Sequence, residues 1–153
     1  MSHHILDKEY KITDAAGVSA GLVVVQGTNA GECKLPTEAN AGAILGVTIR
    51  GQTIQNQTVA VRKAGIARVV AAGPIFLGDP VNVAAQEIKR EFPEPCPTCG
   101  APVALPPKVI AGKVKRIDES SGTRINCLGF AETAAQQDGD VLEIFISLHE
   151  RTA

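Results

Sequence analysis

The sequence predicts a mostly all-β protein: a small antiparallel β-barrel or sandwich with short helical turns and one Pro/Cys-rich inserted loop. Three observations carry that prediction. The chain has 15 Val, 13 Ile and 10 Thr among 153 residues, against 9 Leu and 1 Met, and β-branched side chains favour the extended backbone. From Lys8 to Ala85, apolar runs of three to six residues alternate with glycines, which are strand lengths with turn signals. The length of 153 residues suits a single domain with one sizeable core and leaves no room for two independent ones.

Taken in order, residues 1–11 read as an N-terminal arm, with Ile5, Leu6 and Tyr10 set among polar residues. A single β-rich domain follows over 12–148, interrupted by an insertion at 86–108, and 149–153 form a C-terminal tail. Within the domain, Leu22 to Val25, Ile44 to Ile49, Thr58 to Val61, Ile66 to Val70 and Val81 to Val83 are the strand candidates. Val59 and Val61, then Ile66 and Val69, alternate partially and imply half-exposed strands, whereas Leu22-Val23-Val24-Val25 is continuously apolar and implies burial on both faces. Thr37 to Ala41 and Glu132 to Gln137 are the helical candidates, neither longer than two turns, and a loop with one turn of helix accounts for each equally well.

Two recurrences organise the rest. Leu45-Gly46-Val47 and Leu128-Gly129-Phe130 are each followed, across a polar loop, by a Val-rich run. A duplication and a chance recurrence both remain open, and both place similar hairpins at the two ends of one sheet system. Gly78-Asp79-Pro80-Val81 is echoed by Gly139-Asp140-Val141. Glycine accepts positive φ and aspartate bonds nearby backbone, so each pair reads as a turn that launches a strand. Such turns also occur in lipoyl-type carrier domains, but the lysine those display at a tight hairpin is missing.

Between Gln86 and Lys108 the composition changes. A charged run to Glu91 is followed by Pro93, Pro95, Pro97, Pro102, Pro106 and Pro107, which cannot donate to a ladder and rule out a central strand. Val109 to Ile117 then resumes the strand pattern.

Composition excludes several functions. Fifteen basic against 16 acidic residues give a net charge of −1, so there is no overall field to gather nucleic acid or anionic lipid. Aromatics at 3% with no Trp leave few platforms for stacking. Lys113, Lys115, Arg116 and Arg124 form the densest basic cluster, which reads as a solvated strand face. No run approaches the roughly 18–20 apolar residues of a membrane span, and Met1 to Lys8 lacks the pattern of a secretory signal. A soluble product made in the cytosol is expected, with no nucleic-acid or membrane partner.

Cys96-Pro97-Thr98-Cys99-Gly100 is the sharpest motif. Two thiolates at this spacing make a zinc half-site, with Gly100 allowing the turn after the second ligand. Closing a tetrahedral site would require Cys33 and Cys127, or ligands from a neighbouring subunit. Ordinary loop thiols are the competing reading. A redox role is disfavoured because Gly100 and Pro102 prevent a helix from starting at Cys99. No nucleophile elbow, phosphate loop or His-Glu-x-x-His motif occurs, and carboxylate pairs such as Glu91 with Glu94 or Asp138 with Asp140 fall in loops. No catalytic residue is assigned, and the chain reads as no enzyme.

The runs Val59 to Val81, Leu128 to Ala134 and Gly139 to Ile144 together resemble the small capsid cement, or head decoration, proteins of tailed bacteriophages, over roughly residues 10–85 and 109–148. The cysteine-bearing excursion departs from the compact members of that family. The resemblance implies a non-enzymatic virion protein, made in the host cytoplasm, that docks on the outer capsid surface as a homotrimer. It would bind the major capsid protein without a cofactor and stabilise the expanded capsid against internal DNA pressure. On this reading the arm, through Ile5, Leu6 and Tyr10, orders on the capsid as an added edge strand; a disordered tail is the alternative. The rival function is a small zinc-binding β module, with Cys96 and Cys99 as ligands, that mediates protein–protein interaction.

Overall fold

The apolar runs become strands with short connections. In the computed structural model, which describes residues 5–84, 88–89, 108–109, 111–117 and 124–152, these are β1 (Leu6–Ile12), β2 (Val23–Gln26), β3 (Glu32–Lys34), β4 (Ile44–Thr48), β5 (Thr58–Val70), β6 (Pro80–Val83), β7 (Ile88–Lys89), β8 (Lys108–Val109), β9 (Val114–Arg116), β10 (Arg124–Ala131) and β11 (Val141–Thr152). The protein is all-β, with no helix among the described residues. Both expected helical turns are absent for a local reason. Asn40 adopts φ 53° and its N–H donates to Val83 O. Glu132 and Thr133 donate to Glu143 O, and Ala135 exchanges two backbone bonds with Ile75. Segments this short do not nucleate a helix against such competition.

β5 organises the sheets. Five strands in the order β1-β3-β2-β4-β5 close into a barrel through the β1–β5 pairing, with β1–β3 the parallel contact. The first half of β5 makes this closure, from Lys11↔Thr58 to Leu6↔Ala64. The second half pairs with β11, from Ile146↔Gly65 to Val141↔Val70. Gly65, at the hand-over, has φ 99°, a conformation that other L-residues adopt only with strain. From β11 the sheet continues through β10 and β6 to β9, where Val114 bridges back to Ala71, just past the end of β5.

Two cores result. Tyr10, Ile12, Val18, Val24, Cys33, Val59 and Val61 fill the barrel. Val23, Val25, Ile44 and Val47 point the other way and pack with Val69, Val81, Leu128, Leu142 and Ile144 of the second sheet. β2 is thus buried on both faces, as its uninterrupted valines require.

The recurrent Leu-Gly elements occupy equivalent places in two antiparallel hairpins, β4–β5 and β10–β11. A Cβ at Gly46 would lie 2.0 Å from Arg62 O, and one at Gly129 would lie 2.0 Å from Phe145 O. In each hairpin, glycine lets the first strand press against the carbonyl of the second.

Two expected boundaries differ. Residues 6–11 are not an arm but most of β1, built into the barrel wall. Residues 149–152 are not a tail but the end of β11, paired with Arg124 to Cys127. The excursion at 86–108 leaves and returns through a short antiparallel ladder, Ile88↔Val109 and Lys89↔Lys108. Arg62 fastens the start of β1 to β5: its Nε and Nη2 donate to the Asp7 carboxylate at 2.9 and 3.1 Å, and its Nη1 donates to Ile66 O at 2.9 Å.

Gly129→Ala is expected to cost about 2–3 kcal/mol, the scale of overpacking against an unyielding backbone. Gly73→Ala, with nothing within 4 Å of its Cβ position, should be near neutral; urea unfolding of both variants checks the contrast. A second expectation concerns acid. The hydrogen bond from Arg62 holds the Asp7 carboxyl below its usual pKa, and the guanidinium charge adds to this against an opposing effect of burial. A depressed folded-state pKa gives stability that is present above the unfolded carboxyl value, roughly 3.9, and lost as pH falls through the lower folded value. Asp7→Asn should therefore lose about 0.5–1 kcal/mol at pH 7, the range of a partly exposed pair, and the difference from the parent protein should shrink as pH falls below the unfolded carboxyl value.

Candidate interaction surfaces

The residues singled out in the sequence fall in different environments. Ile5 and Leu6 are 54% and 56% exposed, where β1 begins. Tyr10 is only 4% exposed; it belongs to the barrel core, with the ammonium groups of Lys8 and Lys63 at 5.4 and 5.8 Å from its ring centre. It is not available to contact a partner. The reason is β periodicity: within β1 the side chains of Tyr10 and Ile12 turn inward while the remaining five are exposed.

Cys96 and Cys99 lie outside the described residues. The two other cysteines proposed to complete their site are committed elsewhere. Cys33 is packed inside the barrel, where burial foremost, helped by the nearby Asp14 charge, pushes its thiol pKa up to about 11. Cys127 is buried in β10, with Sγ directed to the carbonyls of Gly129 and Val81 at 3.3 and 3.8 Å. His149 is the cross-strand partner of Cys127, yet its ring stacks on Phe130 at 5.6 Å between centroids. No group of three or more His, Cys, Asp or Glu is placed to hold a metal among the described residues.

The basic cluster is partly neutralised. Lys113 Nζ lies 2.6 Å from Asp138 Oδ1, and Arg116 Nε 3.7 Å from Asp79 Oδ2.

Two apolar surfaces stand out. The first is the outward face of β5 and β11. Cross-strand partners Ile66 and Phe145 sit at one end, Val70 and Val141 at the other, and Arg68 and Glu143 between them with an ion pair at 3.3 Å. Ile66, Phe145 and Val141 are exposed. All of these residues but Phe145 also line a groove of about 430 Å³, whose opposite side includes Ala20, Thr48 and Ile49. The second surface is the turn at Phe76 and Leu77, which are 61% and 71% exposed. The sequence marked a turn at Gly78-Asp79 but carried no signal that the two apolar residues before it are exposed. Ile75, just ahead of them, is fully buried.

These features define an all-β scaffold with exposed apolar surface and, among its described residues, no group of three or more side chains placed to hold a metal. Comparison with known proteins agrees at the level of fold. No protein-family model matches the chain, and no curated protein sequence matches it. Among solved structures, the N base of the head fiber protein gp8.5 of bacteriophage phi29 is similar, with a TM-score of 0.57 over 94% of this chain and 95% of that one at 14% identity. The likeness therefore spans both chains almost end to end and concerns the fold.

Because the Cys33 and Cys127 thiols are buried, an alkylating reagent at pH 8 should modify neither in the native protein and both after unfolding. Peptide mapping of the labelled sites checks this.

Proposed function

We propose that this protein is a non-enzymatic structural component of a tailed-phage virion. It binds the outer surface of the head, with the major capsid protein as its partner, and stabilises the expanded shell against the pressure of packaged DNA. The observation that carries this reading is the near end-to-end fold likeness to a protein named as the base of a phage head fiber. The capsid-cement pattern in the sequence supports it independently. The physical logic is linkage: a ligand that binds only the expanded lattice stabilises that state by mass action, and needs contact area but no active site.

We also propose that it acts as a homotrimer, whose symmetry suits three-fold positions of a shell. The outward β5–β11 face suits contact with a second copy. Its apolar residues flank Arg68 and Glu143, a pair of opposite charges able to exchange partners across a repeated interface. No cofactor is needed for either contact.

Purified protein mixed with expanded, undecorated heads is expected to bind saturably and to raise the temperature at which the heads burst. Uptake with an unchanged burst temperature would leave attachment, as for a fiber base, and overturn the cementing role. Absence of uptake would overturn the reading altogether. Sedimentation velocity of the free protein, expected to show trimers, is disrupted in this account by Ile66→Glu with Phe145→Glu.

A further inference from the structure

We propose that the groove of about 430 Å³ beside β5 binds a small carboxylate carried on an apolar body. The groove originates in the path of β5. Val61 pairs with Thr48, Thr48 O accepts from Gly21 N–H at 2.8 Å, and Gly21 O accepts from Val70 N–H at 3.0 Å. Three steps between neighbouring chain segments, each about 5 Å, therefore join Val61 to Val70, whereas a straight strand over the same stretch would part them by about 30 Å. β5 has to turn around the Gly21–Thr48 unit, with Gly65 and its φ of 99° inside the turning stretch. The groove is the space left within that turn, lined by Gly21 and Thr48 on one side and by Arg62, Ile66 and Arg68 on the other.

The turn leaves backbone donors without a strand to meet them. Successive residues of a strand direct their backbone groups to opposite edges. Ala71 N–H donates to Asp140 O, towards β11, and Val70 N–H to Gly21 O, on the opposite edge, so Ile66 and Arg68 address the Gly21 edge as Val70 does. On that edge β4 pairs with β5 at Val61 and Arg62, and among the described residues no strand pairs there with Ile66 or Arg68. The carbonyls are better covered than the donors. Ile66 O accepts from Arg62 Nη1 at 2.9 Å, and Arg68 O lies against Gly21, 3.2 Å from where a Cβ would stand. The Thr48 hydroxyl is also engaged, donating to Ser19 O and accepting from Leu22 N–H.

The groove thus presents two peptide N–H groups and the guanidinium groups of Arg62 and Arg68. Among the described residues Glu143 is the one carboxylate on its lining. Its pair with Arg68 is exposed, at 41% and 79%, and a pair of that kind is weak enough to be exchanged for an entering anion. Asp7 grips Arg62 from β1 and is not part of the lining. A carboxylate accepts on both oxygens and donates nothing, which suits an array of donors; a primary amide would bring N–H groups with little to receive them. The remaining walls, among them Ala20, Val47, Ile49, Val70 and Val141, are apolar, and the volume falls within the range of small-ligand sites. They select a monocarboxylate with a branched or aromatic body. A free acid and the carboxyl end of a peptide share this chemistry.

The test is calorimetric titration of the purified full chain with 3-phenylpropanoate, 3-phenylpropanamide and N-acetyl-alanyl-phenylalanine. The acid is expected to bind saturably at one site per chain, and the amide at least about 10-fold more weakly. Arg68→Gln should weaken the acid about 10-fold, and Ala20→Phe, at an exposed position on the groove wall, should abolish binding. Phe145→Glu changes the neighbouring sheet face without touching the groove and should bind as the parent does. Binding of the acid and not the peptide supports the site with a free acid as its ligand; binding of the peptide as tightly as the acid supports it with a chain end. Failure of both to bind would overturn the proposal. Equal affinity for acid and amide, parent-like binding by Arg68→Gln and Ale20→Phe together, or loss of binding in Phe145→Glu would overturn it as well.

Discussion

The whole architecture depends on one strand belonging to two sheets. β5 must seal the barrel against β1 with its first seven residues and receive β11 along the next six. The two partners meet it at adjacent positions, Ala64 and Gly65, so the direction of the chain has to change there without breaking the strand. Gly65 absorbs the change in φ. Arg62, three residues earlier, holds the Asp7 carboxylate with two of its nitrogens and the Ile66 carbonyl with a third. One guanidinium thus spans the junction, fixing the strand that leaves and the segment that continues. Its planar fork is suited to this in a way that a lysine ammonium is not.

Closure has a consequence for how the molecule can meet partners. The barrel closes through the β1–β5 pairing, and the second sheet curls until β9 reaches Ala71 and Ala72, with Ala72 N–H donating to Val114 O. Releasing residues 6–11 as a free arm would require β1 to leave β5, losing the closure and the Arg62 anchor together. Exposed apolar side chains are left at the Phe76–Leu77 turn and on the β5–β11 face.

Much of this was legible in the residues. Four consecutive apolar positions at 22–25 announced a strand buried on both faces. The two Leu-Gly elements announced matching hairpins, and their glycines prove to be close-approach points of one strand to the next carbonyl. The Gly-Asp turns behave as their chemistry predicts, with Asp79 and Asp140 both accepting backbone N–H groups of the preceding loop. β1 was harder to read, since Leu6-Asp7-Lys8-Glu9-Tyr10-Lys11-Ile12 is polar enough to pass for an arm. Its one signal is Tyr10 and Ile12 two residues apart, the spacing of a shared strand face. The Phe76–Leu77 surface was hidden by the opposite problem. Composition cannot distinguish an apolar residue entering a core from one leaving it, and only the turn geometry separates Ile75 from its two neighbours.

A contact patch smaller than the roughly 1,000 Å² that distinguishes a lasting interface from a passing contact holds a shell weakly. Self-association changes that arithmetic. Three patches carried by one rigid trimer, as proposed, make the second and third contacts effectively intramolecular, and avidity then exceeds single-site affinity by orders of magnitude, provided the spacing matches the sites. Rigidity is what such matching demands. The backbone bonds that hold the turn at Phe76 and Leu77 run to Ala131, the last residue of β10, and to Ala135. It is therefore β11, paired with β10 on one edge and with β5 on the other, that ties this turn to the outward β5–β11 face.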